Sequence, residues 1–255
     1  VPVTLYWQAL RPTEDDLSIF VQLVAAHDQI LGQVDSYPGG GAYPTSLWSA
    51  GEVIRDQYMV PVQRAPDGPV AAYLIAGLYR YETGQRLSAV DPAGQPVLMP
   101  VLTRVKIAVP TRPRVPQHVA DINLDGRVRL VGYDLQPDRI RPGEAVTLTL
   151  HWQVERALER DYTVFIHLLD ERDTFIGDGD GPPFANWYPT AFWAPGEYLL
   201  DPHRLIIPAD AAPGRYRIAV GLYDPISNQR LPVVDAEGRP VADRLLMREV
   251  DVEAK

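Results

Sequence analysis

Thr147-Leu148-Thr149-Leu150-His151-Trp152-Gln153 alternates polar and apolar side chains along its length, the period of a β-strand with one face buried and the other polar. About 145 positions earlier the chain reads Thr4-Leu5-Tyr6-Trp7-Gln8. The same strand is written twice. Val164, Ile166 and Leu168 alternate in the same way and are matched by Ile19, Val21 and Leu23.

The match runs without a gap for about 55 residues, with about a third of the positions identical. Asp16, Phe20 and Leu23 fall on Asp161, Phe165 and Leu168, and Tyr43-Pro44-Thr45, Trp48 and Gly51-Glu52 fall on Tyr188-Pro189-Thr190, Trp193 and Gly196-Glu197. After a shift of one residue, Gly77-Leu78-Tyr79 and Gln85-Arg86-Leu87 meet Gly221-Leu222-Tyr223 and Gln229-Arg230-Leu231. Self-similarity on this scale predicts two copies of one structural unit. A segment from about Val119 to Glu144, which includes the run Val128 to Leu135 and the turn Arg141-Pro142-Gly143-Glu144, has no counterpart in the first copy. Residues 1–112 are therefore expected to form copy one without its first strand, and residues 113–255 a complete copy two. Pro110 to Gln117, with three prolines and no apolar period, reads as the linker. A missing first strand would leave a sheet edge bare, and bare edges are usually covered or charged. This predicts a longer chain, extending before Val1.

Further strand signals lie at Thr174 to Gly177, Tyr198 to Ile207, Arg215 to Tyr223 and Leu245 to Val252, each bounded by Pro, Gly or Asp. The 25 prolines among 255 residues suit short strands joined by turns and not helices. The expected fold is all-β, with two tandem antiparallel β-sandwich domains, immunoglobulin-like or jelly-roll-like, of seven or eight strands each. Pro213-Gly214-Arg215-Tyr216 resembles the entry to a late immunoglobulin-type strand, where a tyrosine ties the corner to the backbone.

A net charge of -9 argues against a nucleic-acid partner, which requires clustered Lys and Arg. The absence of cysteine removes disulfides and thiolate metal sites. No apolar run approaches the roughly 18 to 20 residues of a membrane span. No cofactor motif stands out.

Among candidate sites, the aromatic loop Asn186 to Trp193 suits sugar, whose C–H faces stack on aromatic rings. Within it Tyr188 and Trp193 recur as Tyr43 and Trp48, a pattern of core residues, whereas Trp187 faces Ala42 and Phe184 faces Gly39 in the alignment. Phe184, Trp187 and Tyr188 are the ligand candidates. Trp7 and Trp152 are expected in the core. Asp178-Gly179-Asp180-Gly181 and Asp121-Ile122-Asn123-Leu124-Asp125-Gly126 place oxygen side chains at alternate positions before glycine, a pattern that wraps calcium or forms turns. The second fails as an EF-hand, because Gly132 stands where the bidentate glutamate belongs. Glu52, Asp35 and Asp56 recur as Glu197, Asp180 and Asp201, which raises a paired-carboxylate hydrolase, yet both glutamates follow a glycine at a strand entry. His151 and His167 fall on neighbouring expected strands without a third metal ligand.

Gly132-Tyr133-Asp134-Leu135, Leu150-His151-Trp152-Gln153, Tyr188-Pro189-Thr190 and Gly221-Leu222-Tyr223-Asp224 together resemble the β-sandwich modules that follow the membrane-spanning part of bacterial glycosyltransferases of the protein mannosyltransferase-like superfamily. The resemblance implies a non-catalytic, extracytoplasmic accessory region anchored through a membrane segment outside this sequence. Its implied partners are glycan or a cell-envelope protein. A structural spacer without a small ligand is the alternative.

Overall fold

The computed structural model describes residues 1–137, 140–247 and 249–253. The chain divides into two compact units, Val1–Val109 and Pro110–Lys255.

In unit one the strands are β1 (Pro2–Gln8), β2 (Ser18–Val24), β3 (Ile30–Ser36), β4 (Val53–Met59), β5 (Val70–Tyr79), β6 (Ala89–Val90), β7 (Pro96–Val97) and β8 (Val101–Ile107). One sheet has the antiparallel order β3-β2-β5-β8, and β1-β4 and β6-β7 form two separate pairs. Every residue of β2, Ser-Ile-Phe-Val-Gln-Leu-Val, is buried. It lies between β3 and β5, and its unbroken apolar run suits a central strand covered on both faces. β1 alternates instead, with Val3 and Leu5 buried and Pro2, Thr4 and Tyr6 exposed.

Unit two contains β9 (His118–Leu124), β10 (Val128–Gln136), β11 (Ala145–Val154), β12 (Thr163–Leu169), β13 (Phe175–Asp178), β14 (Tyr198–Ile206), β15 (Gly214–Tyr223), β16 (Val233–Val234), β17 (Pro240–Ala242), β18 (Leu245–Leu246) and β19 (Val250–Val252). One sheet runs β14-β11-β10-β9-β16-β17, and the other runs β13-β12-β15-β18 with β19 also on β15. The single strand expected over Leu245 to Val252 is thus two short ones. The fold is all-β and sandwich-type, and among the described residues the helical content is limited to short 3-10 turns.

Matched residues pack alike. Gly77 faces Phe20 across β5 and β2, and Gly221 faces Phe165 across β15 and β12. A Cβ on either glycine would fall 2.7 Å or 2.5 Å from the facing ring, so the missing side chain lets the ring lie across its neighbour strand. Arg86 and Arg230 lie over these rings, 4.1 Å and 4.3 Å from the centroids. At the corner before β15, Tyr216 donates its hydroxyl to the Ala212 carbonyl at 2.7 Å, the tie expected from the sequence.

Candidate functional site

The loop before β14 is built on a buried carboxylate. Asp201, fully buried, accepts hydrogen bonds from the Phe184 backbone N–H at 2.8 Å and from Trp152 Nε1 at 3.3 Å, with His203 Nε2 at 2.8 Å. Phe184, Ala185 and Asn186 all have positive φ, at 51°, 50° and 69°. Unit one places Gly39, Gly40 and Gly41 at the matched positions, also at positive φ, and the Gly39 N–H donates to Asp56. The turn is the same in both units, but unit two forms it from residues that avoid this region.

Phe184 and Trp187 are partly exposed, and the Phe184 ring stands edge-on to Tyr188 with centroids 5.8 Å apart. Tyr188 itself must be withdrawn as a ligand contact. Its exposure is 0 %, and its hydroxyl donates to Glu197 Oε2 at 2.9 Å. Burial, and then the Glu197 carboxylate beside it, push the Tyr188 hydroxyl far above the ordinary tyrosine range. Trp193 donates to the Tyr188 carbonyl at 3.0 Å, as Trp48 does to Tyr43 at 3.2 Å. These aromatics lock the loop.

Of the carboxylates that raised a hydrolase, the two glutamates belong to the same locks. Glu197 accepts from the Ala194 N–H and Tyr188, and Glu52 from the Ser49 N–H and Tyr43. Asp180 accepts the Ile166 N–H at 2.8 Å. Asp178 ends β13, opposite His167 on β12. The other calcium candidate lies on the β9–β10 hairpin. Asp121 pairs with Arg129 at 2.9 Å, Asn123 accepts the Gly126 N–H at 2.8 Å, and Asp125 pairs with Arg127 at 3.1 Å. Each oxygen closes a turn or an ion pair. Among the described residues no group of three His, Cys, Asp or Glu is placed to hold a metal.

His151 and His167 belong to different sheets. His151 is fully buried between Tyr198 Oη at 2.7 Å and Asp134 Oδ2 at 3.0 Å. Burial raises the Asp134 carboxyl, but the Gln117 N–H, His151 and Arg114 outweigh it and hold that carboxyl below the usual range.

The feature the sequence reading missed is a groove of about 840 Å³ in unit one, lined by Leu5 and Trp7 of β1, by Phe20 and Leu78, and by Leu87 and Leu98. Residues that unit two buries are open here. Leu87 is 41 % exposed where the matched Leu231 is 7 %, and Val90 is 62 % exposed where Val234 is 9 %. Trp152 is fully buried, whereas Trp7 is only half-buried, and its indole Nε1 is buried without a hydrogen-bond partner. Trp152 lies in the core as expected, and Trp7 packs, partly buried, against the cluster of Ala9, Trp48 and Ile54. Among the described residues β11 is flanked in its sheet by β10 and β14, whereas β1 is paired with β4 alone. The available signal was the unmatched segment near Val119 to Glu144.

No protein-family model matches this chain, and no curated protein matches it significantly.

Proposed function

We propose that this chain is a non-catalytic accessory segment, borne outside a bacterial membrane beside a glycosyltransferase, and that unit one docks a polypeptide in its groove. The location and the neighbouring enzyme come from the family resemblance. One observation supports docking: apolar positions that unit two buries are open in unit one, around a groove bounded by a strand paired on one side only. Contiguous exposed apolar surface marks interaction sites, and an open strand edge accepts an extended chain through backbone hydrogen bonds.

A second reading, glycan binding at the loop before β14, is favoured by two partly exposed aromatics, Phe184 and Trp187, where unit one has Gly39 and Ala42. Backbone-amide NMR titration of the full chain with extended peptides and with oligosaccharides tests both. Peptide-induced shifts at residues 2–8 and 86–102 are expected. Shifts confined to residues 184–187 with oligosaccharide, and lost in Trp187→Ala, transfer the function to unit two. No shifts with either set leave a spacer.

A further inference from the structure

The segment that leads into the strands of unit two, residues 110–117, is fastened to the sheet at three successive points. Pro116 is buried over Gly132 of β10, where a Cβ would collide with the proline ring. Gln117 donates its backbone N–H to Asp134 Oδ1 at 2.8 Å, and its side-chain carbonyl accepts the Leu135 N–H at 2.9 Å. Arg114 is the third point. Its carbonyl accepts the Tyr198 hydroxyl at 2.9 Å, and its guanidinium meets Asp134 Oδ2 at 2.8 Å.

Between Tyr198 and Asp134 lies the fully buried ring of His151. Among the described residues, the charged and titratable groups around that ring are Asp134 on β10, Tyr198 on β14 and, bonded to both of them, Arg114. Tyr198 has a single hydroxyl proton, and the Arg114 carbonyl, which can only accept, takes it. Tyr198 Oη must then accept from His151 Nδ1, 2.7 Å away. The ionised Asp134 also can only accept, so His151 Nε2 donates to it at 3.0 Å. Both ring nitrogens therefore carry protons, which is the pattern of the imidazolium. A neutral ring has one N–H and cannot satisfy it.

Losing a proton changes this arrangement at one place. The proton that remains stays on Nε2, because a lone pair there would oppose the Asp134 oxygen. Nδ1 becomes a buried acceptor, and leaving it unsatisfied is costly. The group at Nδ1 is Tyr198, whose one proton cannot serve both the ring and Arg114. Arg114 is exposed, so its carbonyl can turn to water instead.

We propose that His151 is a protonation switch for the segment entering unit two: the ring cation lets Tyr198 hold the Arg114 carbonyl, and the neutral ring takes that hydrogen bond and releases the backbone before Pro116. Release comes as pH rises. Pro116 and Gln117 stay fastened in both states, and the half-exposed Arg114–Asp134 ion pair persists as a weak tether. The neighbours leave the titration to the histidine. Burial raises the Tyr198 hydroxyl, and the Asp134 carboxyl, raised by burial but lowered further by the Gln117 N–H and His151, lies below its usual range.

The test is NMR on the full, isotope-labelled chain, stepped from about pH 5 to about pH 9, across and beyond the interval of histidine titration. The His151 ring nitrogens are read by long-range correlation, and the Arg114 carbonyl by its carbon shift. At the acid end both ring nitrogens should show protonated shifts. As pH rises Nδ1 alone should move to the unprotonated range, and the Arg114 carbonyl should move with the same midpoint. Tyr198→Phe should hold the Arg114 signal constant through the ring titration. Arg114→Gln, which removes the ion pair and keeps the carbonyl, should retain the joint transition. So should His118→Gln, which removes the histidine next to the segment, whose ring packs on Tyr133 with centroids 4.8 Å apart. A singly protonated ring at the acid end, a ring that keeps both protons throughout, or an Arg114 carbonyl indifferent to the ring overturns the proposal. Loss of the joint transition in His118→Gln overturns it as well, by assigning the pH dependence to His118.

Discussion

Asp15 and Arg80 form an ion pair at 2.7 Å in unit one, and the matched positions of unit two carry the same pair with its signs exchanged, Arg160 to Asp224 at 2.8 Å. The backbone around each pair is shared. Thr45 Oγ1 donates to the Asp15 carbonyl as Thr190 Oγ1 does to that of Arg160, and Arg80 and Asp224 each open the turn that follows β5 or β15. Both units thus place opposite charges at this site, in opposite order.

Asp15→Arg alone therefore sets two cations together and should destabilise unit one by up to about 1 kcal/mol, the scale of an exposed pair. Adding Arg80→Asp should restore the wild-type urea midpoint. A double-mutant cycle reads this directly, and strictly additive effects would show that the exchange of signs carries no coupling.

Acid should weaken unit two through Asp224. The Ile226 N–H, then Arg160 and Ser227, hold its carboxyl down at about 2, below the roughly 3.9 of an unfolded aspartate. A group depressed in the folded state contributes stability that is complete above its unfolded value and is lost as pH falls through its folded value. The stability gap between wild type and Asp224→Asn should be constant near pH 6 and shrink between about pH 4 and pH 2. Urea denaturation at stepped pH measures it, and a gap that widens in acid contradicts the assignment.

Ala185 sits at φ 50° with its side chain exposed. The left-handed region costs a residue with a Cβ about 1–2 kcal/mol, partly offset by the greater chain entropy that glycine loses on folding. Ala185→Gly should stabilise unit two by about 0.5–1 kcal/mol. Gly40→Ala, at φ 65° with open space around a Cβ, should shift unit one the opposite way. Thermal melts of both variants decide it.

Leu87 and Leu231 are the same residue in the same turn and should respond differently to truncation. Leu231→Ala removes a buried side chain and should cost about 2–4 kcal/mol. Leu87→Ala, on the open groove, should stay within about 0.5 kcal/mol of wild type. Chemical denaturation compares the two. A large loss at Leu87 would mean that the groove is closed in solution.

Much of the fold was legible because strand character is local. Alternation at Leu148, Leu150 and Trp152, the Pro and Gly turns, and the Tyr216 corner are each properties of a few adjacent residues. Recurrence also pointed to Tyr188 and Trp193 as parts of the fold, and both are buried. The Asp121, Asn123 and Asp125 spacing was ambiguous, because the same oxygens serve a cation or a hairpin, and only the positions of Gly126, Arg127 and Arg129 show which partners they meet.

By itself the sequence determined the β class, since the period of a strand is carried by adjacent residues in order. Tertiary structure alone decided that Trp7 and Trp152, within the same Leu-aromatic-Trp-Gln frame, have different surroundings. Burial is a property of what lies alongside, and the strand beside β11 is contributed by residues 128–136, for which β1 has no equivalent neighbour. The groove follows from that difference.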